Sequence, residues 1–130
     1  MPNVVFFSFS EKDRGVVVTI KGRAMNSRYP ALNFRVKDLL ARWDTEDEVT
    51  IKQAITKAMQ GTSRTIVFVG NSTHKSHWVP HEVQKTLDNG KPVYAIRLNG
   101  TNGTIPKCLS NNNITVYQWS EERLQDLSTR

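Results

Sequence analysis

Val4-Val5-Phe6-Phe7-Ser8-Phe9 is apolar at five of its six positions and shows no polar–apolar alternation. A strand reads this way when helices cover both faces of its sheet, so the run predicts a central strand of a parallel α/β sheet. Thr65-Ile66-Val67-Phe68-Val69 carries the same signature and runs into Gly70-Asn71-Ser72-Thr73, a loop composition. Around these two runs, helix-like segments alternate with short β-branched ones. Glu11 to about Lys21 predicts a helix, despite the strand propensity of Val16-Val17-Val18-Thr19-Ile20. Leu32 to Val36 predicts a short second strand. Thr45 and Glu48 form a capping box before a helix whose apolar face is Ile51, Ala54, Ile55, Ala58 and Met59, with Gly61 as its stop. Val79 to Asp88 predicts a helix that tolerates Pro80 in its first turn. Pro92–Leu98 and Ile114–Tyr117 predict a fourth and a fifth strand, and Ser120–Leu127 a closing helix with Glu121 and Glu122 in its first turn.

That alternation predicts one domain over residues 1–130, with a flavodoxin-like doubly wound fold around a central five-stranded parallel sheet. Such sheets bind ligands beyond the carboxyl ends of their central strands. The residues of interest are therefore Ser8-Phe9-Ser10, the stretch after Val36, and Asn71 to Glu82.

Composition narrows the class of function. At 38% hydrophobic and 23% charged residues, the chain supports one modest core. No apolar run reaches the roughly 20 residues of a membrane span. The start, Met1-Pro2-Asn3, lacks the basic region of a signal peptide, so the expected location is cytoplasmic, with no membrane partner. Cys108 is the single cysteine, which excludes an intramolecular disulfide and a thiolate-rich zinc site. The net charge of +6 is concentrated in residues 1–43, which hold eight basic and three acidic side chains. No basic run interleaves with aromatics, so the expectation is a solvated surface and not a nucleic-acid partner.

Several chemistries are absent at the strand ends. A phosphoacceptor domain needs clustered carboxylates there to hold Mg²⁺, but the first, third and fourth strands end in Ser8-Phe9-Ser10, Gly70-Asn71 and Leu98-Asn99. Neither a dinucleotide glycine fingerprint nor a Walker A sequence is present. His77 and His81 have the i, i+4 spacing of zinc ligands, yet Pro80 lies between them and only Glu82 offers a third ligand, so no metal is expected. Trp78 and Glu82 share one face of a short helix that starts at the ligand-binding edge. A glutamate there also simply complements the helix dipole.

The chain resembles a Toll/interleukin-1 receptor (TIR) domain, and within that superfamily the TIR-like proteins of the bacterial Thoeris anti-phage system. The residues that carry the resemblance are Val5–Ser10 with Asp13, Gly61-Thr62-Ser63 leading into Thr65–Val69 with Gly70 and Thr73, and Ser76-His77-Trp78-Val79-Pro80-His81-Glu82. The last stretch matches the Trp-x-x-x-Glu pattern of TIR domains that cleave NAD. The resemblance covers Val4 to Leu98. It implies an NAD glycohydrolase or ADP-ribose cyclase with Glu82 as the catalytic glutamate, NAD as substrate and no further cofactor. It also implies self-association and an effector reached through a diffusible nucleotide product. The alternative it implies is a non-catalytic TIR-like interaction or scaffold module. By position in the family, Ser8, Phe9 and Ser10 bind the nucleotide, with Phe9 either stacking on nicotinamide or packing in the core. Asn71 and Ser72 either meet ribose or pyrophosphate or serve as ordinary turn residues, Trp78 backs the pocket and fixes the helix entry by packing rather than by touching substrate, and Arg35 and Lys37 meet phosphates. Met25–Trp43, the pocket's second wall, departs most from the family pattern.

Overall fold

A computed structural model of the chain describes residues 3–24, 35–37 and 47–130. Its elements run β1 (Val4–Phe9), a 3-10 turn (Glu11–Asp13), α1 (Arg14–Ala24), β2 (Arg35–Lys37), α2 (Glu48–Met59), β3 (Arg64–Val69), a second 3-10 turn (Thr73–Lys75), α3 (Trp78–Asp88), β4 (Val93–Arg97), α4 (Lys107–Ser110), β5 (Val116–Gln118) and α5 (Glu121–Thr129). Strands β1, β3, β4 and β5 lie side by side, and the three residues of β2 extend the sheet at the β1 edge. The order is β2-β1-β3-β4-β5 and every pairing is parallel. The order reverses between β1 and β3, which makes their carboxyl ends the switch point of the sheet.

Period-two alternation sends each strand's side chains to two separate cores. Val5, Phe7 and Phe9 join Ile66, Phe68 and Ile96 on one face, where Val17 and Ile20 of α1 and Leu124 and Leu127 of α5 cover them. Phe7 and Phe68 meet edge to face with ring centroids 4.6 Å apart. On the other face, Phe6 packs against Ile51, Ile55 and Met59 of α2, while Val67, Val69, Val93 and Ala95 pack against Val79 and Val83 of α3 and Leu109 of α4. Helices on both faces explain the unbroken apolar runs of β1 and β3.

Local chemistry sets the element ends. α2 is capped by Asp47 rather than Thr45, which lies outside the described residues. Asp47 accepts from the Val49 N–H at 3.2 Å and the Thr50 hydroxyl at 2.6 Å, and these bonds, Thr50's first, hold its carboxyl below the usual range. Gly61 follows at φ 79°, a backbone conformation that suits glycine at a helix stop. Ser120 caps α5 by accepting from the Arg123 N–H at 2.9 Å.

Three expectations shift. The second strand occupies Arg35–Lys37, one residue beyond the expected end, and Leu32–Phe34 lie outside the described residues. The fifth strand starts at Val116, because Asn113 takes φ 57° and the Ile114 N–H bonds to the Leu109 carbonyl at 3.0 Å, drawing Ile114 back against α4. The stretch expected as loop between Gly100 and Asn113 contains α4, which buries Leu109 completely. Among the described residues, no helix is long and apolar enough to cross a membrane.

Candidate active site

Positions 79, 82, 83 and 86 are the buried face of α3. This i, i+3, i+4, i+7 stripe is the ordinary inward face of a helix, and Glu82 stands in it among Val79, Val83 and Thr86. Its carboxyl is thereby carried onto the sheet and not into solvent, and its exposure is 0%. A buried carboxyl requires polar partners. Ser8 of β1 supplies one: its Oγ donates to Glu82 Oε1 at 2.7 Å. Ser8 points there because it lies on the same strand face as Phe6, two residues on. Below the pair, Thr86 donates to the Glu82 carbonyl at 2.8 Å, and its hydroxyl lies 2.6 Å from that of Thr65.

A cleft of about 300 Å³ opens at the carboxyl ends of β1 and β3. Ser10, Glu11 and Lys12, which follow β1, form one wall. Ser72, Lys75 and Ser76, which follow β3, form the other, and His77 and Trp78 close it at the start of α3. Ser10 lies two residues beyond Ser8 on the same strand side. Trp78 lies one helical turn before Glu82, so both elements lead from the cleft to the buried pair.

The two walls are pinned together. Thr73 Oγ1 accepts from the Gly70 N–H at 2.7 Å and makes a longer 3.5 Å contact with Asp13 Oδ2. The Asp13 carboxyl lies so close over Gly70 that a Cβ there would come within 2.6 Å of Asp13 Cγ. Half-burial raises the Asp13 pKa, and the Thr73 hydrogen bond opposes that in part. Behind the β3 wall, a Cβ on Gly103 would meet the Asn71 carbonyl oxygen at 2.6 Å, so the 99–104 loop packs directly on Gly70-Asn71.

The expected site residues separate into groups. Ser8 and Glu82 are joined, and Ser10, Ser72 and Trp78 all reach the cleft. Phe9 does not: strand alternation points it to the opposite face, where it is 3% exposed in the core with α1 and α5. Asn71 also turns away, its Oδ1 accepting from the Asn102 N–H at 2.9 Å, so it clamps the neighbouring loop. Trp78 packs against the cluster of Phe6, Ile51, Ile55 and Met59 and also lines the cleft. Arg35 and Lys37 fall in β2, but their side chains, and residues 25–34 and 38–43 of the expected second wall, lie outside the described residues.

His77 and His81 each meet the Trp78 ring edge to face, at centroid distances of 4.7 and 5.7 Å. The His77 ring lies 3.2 Å from Glu48 on α2. Desolvation, then Lys52 and Lys85, lower the His81 pKa and favour its neutral form. Among the described residues, no group of three His, Cys, Asp or Glu side chains could hold a metal ion. Sequence reasoning missed Lys12 and Lys75 as cleft residues and the Asp13–Thr73–Gly70 contact. The signal for both was their place in the loops just past β1 and β3.

Comparison with known proteins places these features in one family. The crystal structure of the TIR domain of the Toll-related receptor TRR-2 from Hydra magnipapillata superposes with a TM-score of 0.59 at 20% identity, over 95% of this chain and 90% of that one. ThsB1 of Bacillus cereus (strain MSX-D12), whose name provisionally ascribes cyclic ADP-D-ribose synthesis to it, is 29% identical over 52 residues. That match spans 40% of this chain and 27% of the relative's length. The model of the Thoeris protein ThsB TIR-like domain matches residues 6–103, which hold both cleft walls and the Ser8–Glu82 pair. The chain belongs to the TIR-like domain family of the Thoeris protein ThsB.

Proposed function

We propose that this chain cleaves the bond between nicotinamide and ribose in NAD, and that the nucleotide released acts on a separate effector in anti-phage defence. The observation that carries the reading is the buried Ser8–Glu82 pair beside a cleft at the sheet's switch point. The bond to be broken joins ribose C1 to a pyridinium nitrogen. Its electron pair leaves with the ring, so nicotinamide departs neutral and needs no acid to protonate it. One carboxylate then suffices, where most glycosidases need two. Glu82 holds the ribose hydroxyls, taking up the hydrogen-bonding capacity that now serves Ser8, and stabilises the positive charge that develops at C1. Capture of C1 by water gives ADP-ribose and a released proton. Capture by a hydroxyl or ring nitrogen of the same molecule gives a cyclic product. The name given to ThsB1 favours the cyclic route.

The test is to incubate concentrated protein with NAD and follow nicotinamide and nucleotide products by liquid chromatography and mass spectrometry. The expected result is nicotinamide released in step with one nucleotide. A product lighter than ADP-ribose by one water is cyclic. A second reading, a non-catalytic TIR-like scaffold, is favoured by one observation: Glu82 is fully buried and bonded to Ser8, as a structural polar pin would be. Absence of nicotinamide release at high protein concentration, and in extract of phage-infected cells, would select it.

A further inference from the structure

We propose that the loop 99–104, which follows β4, is a strap that fixes the β3 wall of the cleft, and that Asn71 is a positioning residue acting through it. Asn71 stands just before Ser72, the first cleft residue of that wall, yet its own side chain reaches away from the cleft to the strap. Its Oδ1 accepts from the Asn102 N–H at 2.9 Å. A backbone N–H is met only by the oxygen of the amide, so this bond sets which way the Asn71 side chain faces. Gly103 completes the contact. A Cβ there would lie 2.5 Å from the Gly70 carbonyl oxygen and 2.6 Å from that of Asn71, so strap and wall touch backbone to backbone.

The strap is itself anchored to the sheet. Arg97 of β4 donates from Nη1 to the Gly103 carbonyl at 2.9 Å. Arg97 pairs with Val69 in the β3–β4 register, so the cation that holds the strap stands beside the last residue of β3. On the near side, the Thr101 hydroxyl and N–H both bond the Leu98 carbonyl, at 2.7 and 3.2 Å. Leu98 is buried, and its N–H bonds the Val69 carbonyl at 2.9 Å. Anchors at the end of β4 thus flank the Asn102 N–H on both sides. The wall has less support of its own. The Lys75 and Ser76 N–H groups bond the Ser72 and Thr73 carbonyls at 3.0 Å in one short 3-10 turn, whose hydrogen-bond geometry is poorer than an α-helix's. Ser72, Lys75 and Ser76 line the cleft from that turn, so a strap that shifts carries them with it. A misplacement of about 1 Å in a positioning wall is enough to alter turnover of a substrate. The inference rests on the NAD-cleaving reading for its kinetic readout alone.

The test compares three variants of the full chain, each checked by circular dichroism and thermal melting. Asn71→Ala removes the acceptor, and Asn71→Asp keeps an oxygen that accepts from the Asn102 N–H. Gly103→Ala puts a methyl group against backbone and not against a movable side chain. Amide hydrogen exchange read by mass spectrometry follows the peptide over 70–78, and steady-state kinetics follow nicotinamide release from NAD. In Asn71→Ala and Gly103→Ala, 70–78 should exchange several-fold faster while the β1 and β4 peptides stay as in the wild type. KM for NAD should rise about fivefold, the factor that one ordinary hydrogen bond represents, with kcat changing less. Asn71→Asp should exchange as the wild type does. Unchanged exchange over 70–78 in both Asn71→Ala and Gly103→Ala would overturn the strap. Exchange in Asn71→Asp as fast as in Asn71→Ala, or faster exchange with KM unchanged, would overturn the positioning role of Asn71. A wild type that releases no nicotinamide removes the catalytic reading and not the strap, which the exchange over 70–78 then decides by itself.

Discussion

Ser8 and Glu82, 74 residues apart in the chain, meet in a 2.7 Å hydrogen bond with both side chains fully buried. No other described carboxylate is buried as completely. Ser8→Ala removes the hydroxyl and leaves Glu82 with one donor fewer where water cannot replace it. The expected cost is about 1–3 kcal/mol of stability by chemical denaturation. If the pair orients the reacting carboxylate, nicotinamide release also falls by roughly tenfold, about 1.4 kcal/mol of barrier.

Gly70 and Asp13 meet where the loops after β1 and β3 touch. Gly70→Ala puts a methyl group where the Asp13 carboxyl lies, so that carboxyl must turn aside and give up its contact with Thr73. Because a side-chain end and not backbone gives way, the expected cost is below about 1 kcal/mol. Steady-state kinetics should show any change in KM for NAD exceeding the change in kcat, because the substitution falls at the loops beside the cleft and leaves the Ser8–Glu82 pair in place.

Asp13 gives stability a pH dependence of known sign. Burial raises its folded-state pKa above the unfolded value, so the native state holds its proton to higher pH than the unfolded chain does. Its contribution to stability is therefore greatest below the ordinary carboxylate range and is lost as pH rises through the raised folded value. Asp13→Asn removes this dependence. Denaturation midpoints across the acid range should show the variant gaining on the wild type as pH rises through that window, then running parallel to it.

Phe9 separates core packing from substrate stacking. It points to the face covered by α1 and α5, away from Ser8 and the cleft. Phe9→Leu should lower stability by about 1 kcal/mol while leaving KM for NAD unchanged, as a near volume-conserving core swap does. A several-fold rise in KM with unchanged stability would return Phe9 to the site.

Much of the fold was legible because the strands are apolar on both sides. β1 and β3 announce a helix-covered parallel sheet, and Ile51, Ile55 and Met59 give the inner face of α2. α1 was harder, since Val16, Val17, Val18, Thr19 and Ile20 favour strand. A parallel connection needs a crossover, and a helix there buries Val17 and Ile20 while exposing Val16 and Val18. The site was legible in part. Val79 and Val83 already place Glu82 on the inward face of α3, which is a stronger signal than its distance from the helix start. Which strand residues share its face follows from alternation alone: Ser8 does and Phe9 does not. The Asn71 contact was not legible, because it depends on Asn102, 31 residues away, and no local pattern encodes that packing.

The most direct measurement is nicotinamide release from NAD by wild-type protein beside Glu82→Gln, with both confirmed folded by circular dichroism and thermal melting. Glutamine keeps the volume and an oxygen that accepts from Ser8, so the buried contact survives while the negative charge is lost. Release by the wild type that falls to background in the folded variant is the expected result. Equal release by the two proteins would contradict the assignment of Glu82 as the catalytic carboxylate.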